Sequence, residues 1–374
     1  MNSRSEHLFE STVVPHPGEM VLEYLDLCDW PQRELARRSG LTAKTISEIC
    51  SGKAPVTATT ALAFEKVFQR PAHFWLNLQR QFDEAEARRS QFAKSAQWSE
   101  WVKSFPLKEM KRLKFSLPAG LSDADVLLNF FGVSSPDSWS SVWEAAAVAY
   151  RQTRIFNTRE QSIAAWVQEA EIVARGLDVA PFNEQRLHSA LKELRRLTRV
   201  SADKIMDPLQ EACAAAGVAV VLVPGLPNTG ISGCAKWLSG KRALVALTLR
   251  YKTDDQLWFT IFHEMGHLLL HRTKRSFILD NAAESLSDRV IDPGMEKYEE
   301  EANRFAGDTL IPPSAFDGFI KAQTFTNDSI HDFAETIGIG PGIVVGRLQH
   351  DGLLARHQGN ALKQKLDWGF SQEN

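Results

Sequence analysis

Short apolar stretches with three- and four-residue spacing, separated by tight turns, fill the first 90 residues of the chain. Residues at this spacing share one face of a helix, so the pattern predicts a series of short helices. Because the intervening loops are short, we expect a compact helical domain over residues 1–90. The predicted helices cover residues 20–27, 32–38, 43–50, 58–68 and 72–89.

The next segment, residues 91–205, keeps the helical spacing, and its prolines and glycines mark the breaks between helices. It contains no residue pattern that points to chemistry. Trp and Phe are frequent here, and we interpret them as core residues. From its position alone, we expect this helical middle region to couple the flanking domains or to form a dimer contact. Its clearest predicted helices cover residues 141–151, 163–174 and 184–197.

Strand-like patterns begin after Gly217. The sequence VAVVLV at residues 218–223 is continuously apolar and rich in Val, which is typical of a buried strand. Residues 234–238 and 242–249 predict two further strands joined as a hairpin through Ser239-Gly240-Lys241.

Helical patterns follow these strands. Thr253 and Gln256 have the spacing of a capping box, which predicts a helix start there and a helix that reaches residue 270. Another helix is predicted over residues 296–310, and two more within residues 328–354. The chain is therefore predicted to be mainly α with a small β-sheet, an α+β fold, with a third domain over residues 206–374.

Length, charge and cysteine content narrow the class of protein. A chain of 374 residues suggests two or three domains. The net charge of −3 argues against a general polyanion binder, so nucleic-acid affinity would need a local basic face. The four cysteines form no CxxC pair, which argues against a disulfide framework or a cysteine zinc site. A polar start and the lack of long apolar runs predict a soluble cytoplasmic protein without a membrane span.

The strongest chemical signal is His263-Glu264-Met265-Gly266-His267. Helical residues four apart lie on one face, so His263 and His267 can direct both imidazoles at one metal ion. Glu264 then lies where its carboxylate can accept a proton from a water at the metal. The motif predicts one zinc ion per chain, with Glu264 as the catalytic base.

A catalytic zinc site needs a third protein ligand, and the next predicted helix offers Glu299, Glu300 and Glu301. Glu299 shares the inward face of this helix with the small apolar residues that follow it, so we select Glu299. Asn303, four residues later, is predicted to hydrogen-bond Glu299. Glu300 and Glu301 stay open as alternatives.

Four other polar residues are candidates around the predicted site. His271 lies one helical turn beyond His267, and we interpret it as a histidine at a helix C-terminus, where it favours the helix dipole. His331, His350 and Arg347 are candidates for stabilising an oxyanion.

The motifs of this region resemble those of the ImmA/IrrE family of metallopeptidases. They are DQLWFTIFHEMGHLLL at residues 255–270, EEEANRFA at residues 299–306, and Leu310-Ile311-Pro312. The resemblance covers about residues 205–350, implies a zincin-like fold and supports Glu299, the first Glu of the second motif. A polar insertion near residues 274–292 departs from the family pattern, and it could be a flap or a disordered loop.

The predicted helices over residues 32–38 and 43–50 form a candidate helix-turn-helix. Ser39-Gly40-Leu41-Thr42 between them is a glycine-containing turn of the length that this motif uses. The exposed start of the second helix would meet base edges, and nearby basic residues, including Arg37 and Arg38, would contact phosphates. The predicted DNA-binding residues are Gln32, Arg33, Thr42, Ala43, Lys44, Thr45, Ser47, Glu48 and Lys53.

This N-terminal segment resembles the Xre-type repressors, and especially the HigA-like antitoxins, over about residues 15–90. The residues that carry the resemblance are QRELA at 32–36, SGL at 39–41, TISEICS at 45–51 and HFWLNLQ at 73–79. The resemblance implies binding to double-stranded operator DNA. A single protomer has little charge and is expected to bind DNA weakly. A homodimer on a two-fold operator would bind more tightly, because both protomers contact the DNA.

Three hypotheses about function follow. The first is a DNA-binding transcription regulator whose zinc endopeptidase domain cleaves itself or an Xre-type repressor and so relieves repression. The second is a HigA-like antitoxin, with a toxin partner, whose zinc domain is not proteolytic. The third is a DNA-processing enzyme, which a site of two His and one Glu disfavours because nucleases often use two metals. Glu264 favours the first hypothesis, since a structural zinc site needs no base.

Overall fold

A computed structural model of the chain describes residues 14–151, 160–227, 229–248, 253–271, 278–280, 293–322 and 324–366. The chain divides into two compact units, Met1–Ser99 and Glu100–Asn374. Helices dominate both units, and the second also contains a four-stranded sheet. The predicted α+β class is therefore confirmed. No helix among the described residues is long and apolar enough to cross a membrane.

The first unit is a helical bundle around Trp75. This indole is fully buried and packs edge-on against Phe64, with a ring separation of 5.2 Å. Leu35, Ile46 and Ile49 complete the centre of the core. Two predicted helices match their bounds, one begins three residues earlier than predicted, one ends one residue later, and the last continues well beyond residue 89. The helices are α1 (Pro17–Leu27), α2 (Gln32–Ser39), α3 (Ala43–Cys50), α4 (Ala58–Phe68) and α5 (Ala72–Ser95), with a 3₁₀ turn at Ala96–Trp98.

His16 fixes the start of α1. Its Nδ1 accepts a hydrogen bond from the backbone N–H of Gly18 at 3.0 Å, and the Glu19 side chain accepts one from the His16 backbone. A Cβ at Gly18 would lie 1.9 Å from the carbonyl oxygen of Ile49, so a glycine is required for α1 to lie this close to α3. The His16 cap and this contact together hold α1 against the end of α3.

The second unit contains twelve helices and four strands among its described residues. The helices are α6 (Ser99–Lys103), α7 (Leu107–Arg112), α8 (Asp123–Phe131), α9 (Pro136–Arg151), α10 (Glu160–Arg175), α11 (Glu184–Leu197), α12 (Met206–Ala216), α13 (Asp254–Leu270), α14 (Pro293–Leu310), α15 (Pro313–Ile320), α16 (Asn327–Ile337) and α17 (Pro341–His350). The strands are β1 (Val218–Leu222), β2 (Gly233–Ser239), β3 (Arg242–Leu247) and β4 (Ile278–Asp280).

The sheet has the order β1-β3-β2-β4 and separates two hydrophobic cores. β1 pairs with β3 in parallel, and β2 pairs antiparallel with both β3 and β4. Because side chains alternate along a strand, Val218 and Val220 enter the core that contains α13, while Ala219 and Val221 enter the core around Trp166 on α10. Trp139, Trp143 and Trp166 of the middle region are buried in this second core, as predicted.

The predicted domain boundary near residue 205 stays a prediction. α10 lies before it and α12 lies after it, yet both helices contact β1. The predicted insertion at residues 274–292 lies outside the described residues except for β4. This short strand pairs with β2 through Gly233↔Asp280 and its neighbours, so part of the insertion is sheet rather than flap.

The predicted capping box at the start of α13 is wrong. The Thr253 side chain makes no cap hydrogen bond. Its backbone instead forms a bridge with Lys365, and the Asp254 carboxylate accepts hydrogen bonds from the backbone N–H groups of Asp255 and Gln364, at 3.0 and 2.9 Å. Burial and the neighbouring Asp255 carboxylate raise the pKa of Asp254 to about 6. A segment far along the chain thus takes over the role that the local pattern assigned to Thr253.

The His16 cap predicts a pH dependence of α1. Burial lowers the pKa of His16 below its ordinary value of 6.5, and the cap needs the neutral ring as acceptor. The cap is therefore fully present above the unfolded pKa and is lost as pH falls below 6.5. We expect hydrogen exchange of the α1 amides in the wild type to rise, relative to His16→Asn, as pH is lowered from about 6.5. The Asn amide caps at every pH, so equal pH dependence in both proteins would contradict this interpretation.

Candidate metal centre and nucleic-acid interface

A close contact between α13 and α14 positions the candidate metal centre. A Cβ at Gly266 would lie 2.9 Å from Cδ1 of Phe305, so the missing side chain lets the two helices approach. His263 and His267, on either side of this glycine, then lie next to Glu299 at the start of α14. Both imidazoles are almost completely buried, whereas the Glu299 side chain is 25% exposed.

The three side chains form a compact set of donor atoms. The two Nε2 atoms of His263 and His267 are 2.9 Å apart. Glu299 places Oε2 at 3.3 Å from Nε2 of His263 and Oε1 at 3.6 Å from Nε2 of His267. One ligand atom from each residue lies within 4.8 Å of the others. The structure therefore brings together the three residues that the sequence selected as ligands.

This spacing fits a tetrahedral zinc ion. Bond lengths of about 2.0–2.2 Å to nitrogen and oxygen separate neighbouring ligands by about 3.3 Å in that geometry. The two distances from Glu299 are close to this value, and the histidine pair needs only a small opening. Two imidazoles and one carboxylate are also a donor set that catalytic zinc uses.

The protonation states of these residues suit metal binding. Burial lowers the pKa of His267 to about 4, so the ring is neutral near pH 7. Burial would raise the pKa of Glu299, but the adjacent His263 and His267 side chains outweigh this effect and lower the pKa to about 2. A neutral imidazole and an ionised carboxylate are the forms that bind a metal ion.

Asn303 contacts a different partner from the predicted one. The sequence placed it next to Glu299, but its Oδ1 lies 2.9 Å from Nδ1 of His263. An amide oxygen only accepts hydrogen bonds, so His263 carries its proton on Nδ1 and directs the lone pair of Nε2 toward Glu299 and His267. Asn303 therefore fixes the tautomer of one candidate ligand.

His271 lies at the C-terminus of α13, as predicted, and makes two side-chain contacts that the sequence did not predict. His271 caps the end of α13 but is buried, with Nδ1 at 3.1 Å from Nδ1 of His267. Its Nε2 lies 2.9 Å from Oε2 of Glu301, one of the two glutamates that the sequence left open as the third ligand. Glu300 is exposed. The spacing of four residues on one helix is the sequence signal that could have predicted the contact between His267 and His271.

Glu264 is fully buried between α13 and β2. A Cβ at Gly233 on β2 would lie 2.7 Å from Oε1 of Glu264 and 2.6 Å from Cγ2 of Thr260. The glycine therefore leaves the space that the carboxylate occupies. Gly233 could not be identified from the sequence, because its contact with Glu264 depends on how the sheet packs against α13.

The candidates for an oxyanion stabiliser contact other partners. Arg347 pairs with Asp351 at 2.7 Å and lies over the ring of Phe316, 5.0 Å from its centroid. His350 also contacts Asp351, at 3.0 Å. His331 is exposed on α16. These contacts do not favour any of the three residues for that role.

In the first unit, α2 and α3 form the helix-turn-helix. Gly40 ends α2 with a φ of 71°, a left-handed conformation that glycine adopts without strain. Thr42 caps α3, because its hydroxyl accepts a hydrogen bond from the backbone N–H of Thr45 at 3.0 Å. Leu35 on α2 and Ile46 on α3 are fully buried, which fixes the crossing of the two helices.

The predicted DNA-binding residues lie on the surface of this unit. Lys44 is strongly exposed and lies 3.8 Å from Glu48, one turn along α3. The exposed residues are Arg33, Thr42, Ala43, Lys44, Ser47 and Lys53, and the half-buried ones are Gln32, Thr45 and Glu48.

Arg37 and Arg38 have partners within the protein. Both guanidinium groups bind the Glu34 carboxylate, at 2.8 and 2.7 Å, and their hydrogen bonds lower the pKa of Glu34 to about 2. Arg38 also lies over the ring of Trp30, at 4.0 Å from its centroid. The predicted phosphate contacts of Arg37 and Arg38 would therefore compete with Glu34.

The metal centre predicts a specific pattern of zinc content. Protein purified without added metal should contain about one zinc per chain, and both His263→Ala and Glu299→Ala should lose it because each removes one of three ligands. Glu300→Ala removes the same carboxylate from an exposed position one residue away and should keep the zinc. Mass spectrometry of the metal content distinguishes these proteins. Zinc retained in Glu299→Ala would show that the third ligand is a different residue.

Family models match two separate segments of the chain. Residues 21–75 match the family model of a helix-turn-helix domain. Residues 242–349 match the IrrE N-terminal-like domain of the peptidase M78 family, and this match includes α13 and α14.

Three similar proteins each match about a fifth of the chain. An uncharacterized HTH-type transcriptional regulator of Escherichia coli K12, YddM, is 34% identical over 76 residues, which is 20% of this chain and 81% of the relative. An addiction module antidote protein of the HigA family from Coxiella burnetii is 32% identical, with a TM-score of 0.22, and the match covers 22% of this chain and 92% of that structure. The Pseudomonas aeruginosa antitoxin HigA, solved with the higBA promoter, is 29% identical over 22% of this chain and 89% of that structure, with a TM-score of 0.21. The chain thus belongs to the Xre-like helix-turn-helix regulators and carries, in addition, a peptidase M78 domain of the IrrE type.

Proposed function

We propose that the protein is a DNA-binding transcription regulator with a zinc-dependent endopeptidase domain. The endopeptidase cleaves the chain itself or a partner repressor of the Xre type, and cleavage relieves repression. The helix-turn-helix domain and the M78 domain lie in one chain, so the DNA-bound molecule carries its protease with it. We place this activity in the cytoplasm, because the proposal requires access to operator DNA.

The observation that carries the proposal is the buried Glu264 beside a set of donors that, among the described residues, has three members. A structural zinc site usually has four protein ligands and needs no base. Here His263, His267 and Glu299 would hold the ion, and the partial exposure of Glu299 leaves one side of the set open for a substrate. This combination supports a catalytic rather than a structural site.

The residues of the site would divide the work of peptide hydrolysis. A bound zinc ion would polarise the scissile carbonyl and lower the pKa of a water molecule. Glu264 would accept a proton from the attacking water and donate it to the leaving amine. Asn303 would keep His263 in the tautomer that binds the ion. Burial of both imidazoles and of Glu264 excludes bulk water, which strengthens each of these electrostatic interactions.

The DNA-binding part of the proposal rests on α3. Lys44 and Ser47 are exposed on this helix, and Thr42 and Thr45 present hydroxyl groups at its start. The N-terminal residues of a recognition helix read base edges in the major groove. We propose that two copies of the chain bind a two-fold operator, because one short helix with a Lys44–Glu48 pair offers little net charge to the DNA.

Replacement of the base should separate metal binding from cleavage. We expect Glu264→Gln to keep its zinc but to cleave about 10²- to 10⁴-fold more slowly than the wild type, since proton transfer contributes that much to such reactions. The measurement is intact mass spectrometry of zinc-loaded full-length chain, alone and mixed with an Xre-type repressor. Glu300→Gln makes the same change at an exposed carboxylate and should cleave like the wild type.

Two outcomes would contradict the endopeptidase. One is cleavage by Glu264→Gln at the wild-type rate. The other is a zinc-loaded wild-type chain that cleaves neither itself nor the repressor and co-purifies with a toxin, which is the result that the antitoxin hypothesis predicts.

The recognition helix predicts which substitutions weaken DNA binding. Lys44→Ala and Ser47→Ala should each reduce affinity for the DNA upstream of the protein's own gene, by about 1–3 kcal/mol for a lost base contact. Lys66→Ala removes the same charge from an exposed position on α4 and should bind nearly as the wild type does. Fluorescence anisotropy at fixed salt measures all three. Equal affinity of Lys44→Ala, Ser47→Ala and the wild type would place the interface elsewhere.

A further inference from the structure

We propose that His271 and Glu301 form a hydrogen-bonded chain that orients His267 for metal binding. Both would be positioning residues, because neither contributes an atom to the three-residue donor set. The inference rests on the proposed zinc site and assigns a role to two residues that the proposed reaction leaves unused.

The direction of the hydrogen bonds follows from Glu301. An ionised carboxylate can only accept, so the 2.9 Å contact between Oε2 of Glu301 and Nε2 of His271 requires the proton on Nε2 of His271. The other carboxylate oxygen, Oε1, lies 3.8 Å from the ammonium group of Lys297, which also favours the ionised form.

A neutral His271 ring protonated at Nε2 has its lone pair on Nδ1. This atom lies 3.1 Å from Nδ1 of His267, so it accepts a hydrogen bond from His267. His267 then carries its proton on Nδ1 and turns the lone pair of Nε2 inward, toward Glu299 and His263. The chain from Glu301 therefore selects the tautomer of His267 that can bind an ion.

The packing of His271 holds this chain in place. The residue is only 6% exposed, and its ring lies edge-on to Tyr298, with a centroid separation of 4.6 Å. His271 belongs to the end of α13, whereas Tyr298 and Glu301 belong to α14. The hydrogen bonds of His271 consequently link the two helices that supply the ligands, in addition to the Gly266–Phe305 contact.

The other candidate histidine ligand, His263, has a comparable partner. Asn303 fixes His263 with a single hydrogen bond, and His271 with Glu301 would fix His267 with two in series. Each of the two candidate histidine ligands thus has its own partner on the side away from the donor set. Removing such partners typically weakens metal affinity by about 10- to 100-fold.

Four variants of the full chain test this assignment. His271→Leu removes both hydrogen bonds, and His271→Asn keeps an acceptor near the position of Nδ1. Glu301→Ala removes the outer carboxylate from a side chain that is 38% exposed, so it should fold even if His271→Leu does not. Glu300→Ala is the matched control at the neighbouring exposed position. Zinc affinity is measured by competition with a chelating dye, and the visible spectrum of the cobalt-loaded protein reports the ligand geometry.

We expect His271→Leu to bind zinc about 10- to 100-fold more weakly than the wild type, Glu301→Ala to be weakened less, and His271→Asn to recover part of the loss. The cobalt spectrum should change in His271→Leu and Glu301→Ala but not in Glu300→Ala. The inference would be overturned, with the zinc site intact, if His271→Leu and Glu301→Ala both kept wild-type affinity and an unchanged spectrum. If His271→Leu does not fold, the same result in Glu301→Ala alone would overturn it. A wild-type chain with no affinity for zinc would instead overturn the proposed function and this inference with it.

Discussion

The close approach of α13 to α14 is the constraint on which the candidate metal centre depends. The α13 helix can present His263 and His267 on one face by itself. The third ligand, the Glu299 carboxylate that contacts both imidazoles, must come from another element. Gly266 lets α14 pack against that face, with Phe305 in contact where a side chain would otherwise stand. Glu299 reaches both imidazoles only because the helices meet at this point. A larger residue at position 266 would therefore push α14 away from α13 and separate Glu299 from the two histidines, although no ligand residue itself is changed.

Burial of the contact between α13 and α14 strengthens the electrostatic interactions within the candidate metal centre. His263, Glu264 and His267 lie in a region of low dielectric, where a polar group without a partner is costly and a well-placed one interacts strongly. Polar side chains on the face of α14 that meets α13 compensate for this cost by contacting the buried groups. They include Glu299 and Asn303. Stability and function are thus linked, because the hydrogen bonds that compensate for burial also set the tautomers that metal binding needs.

The parts of the site that depend on helical periodicity could be predicted from the sequence, and the parts that depend on packing could not. The His pair and the inward position of Glu299 follow from spacing along single helices. The partner of Asn303 depends on the rotation of α14 against α13, which no local pattern contains, and the prediction of a Glu299 contact was wrong. The capping box at Thr253 failed for a similar reason, since a distant segment at Gln364 and Lys365 pairs with the helix start. The helices of the first unit were predicted well because their caps and turns are local.

X-ray absorption at the zinc edge of the loaded full-length protein tests the central claim most directly. We predict scattering from two imidazoles and from carboxylate and water oxygen, with nitrogen and oxygen at about 2.0–2.2 Å and no sulfur at about 2.3 Å. Loss of one imidazole contribution in His267→Ala would assign that ligand within the same experiment. A spectrum that contains sulfur, or a shell of oxygen atoms without imidazole, would contradict a site built from His263, His267 and Glu299.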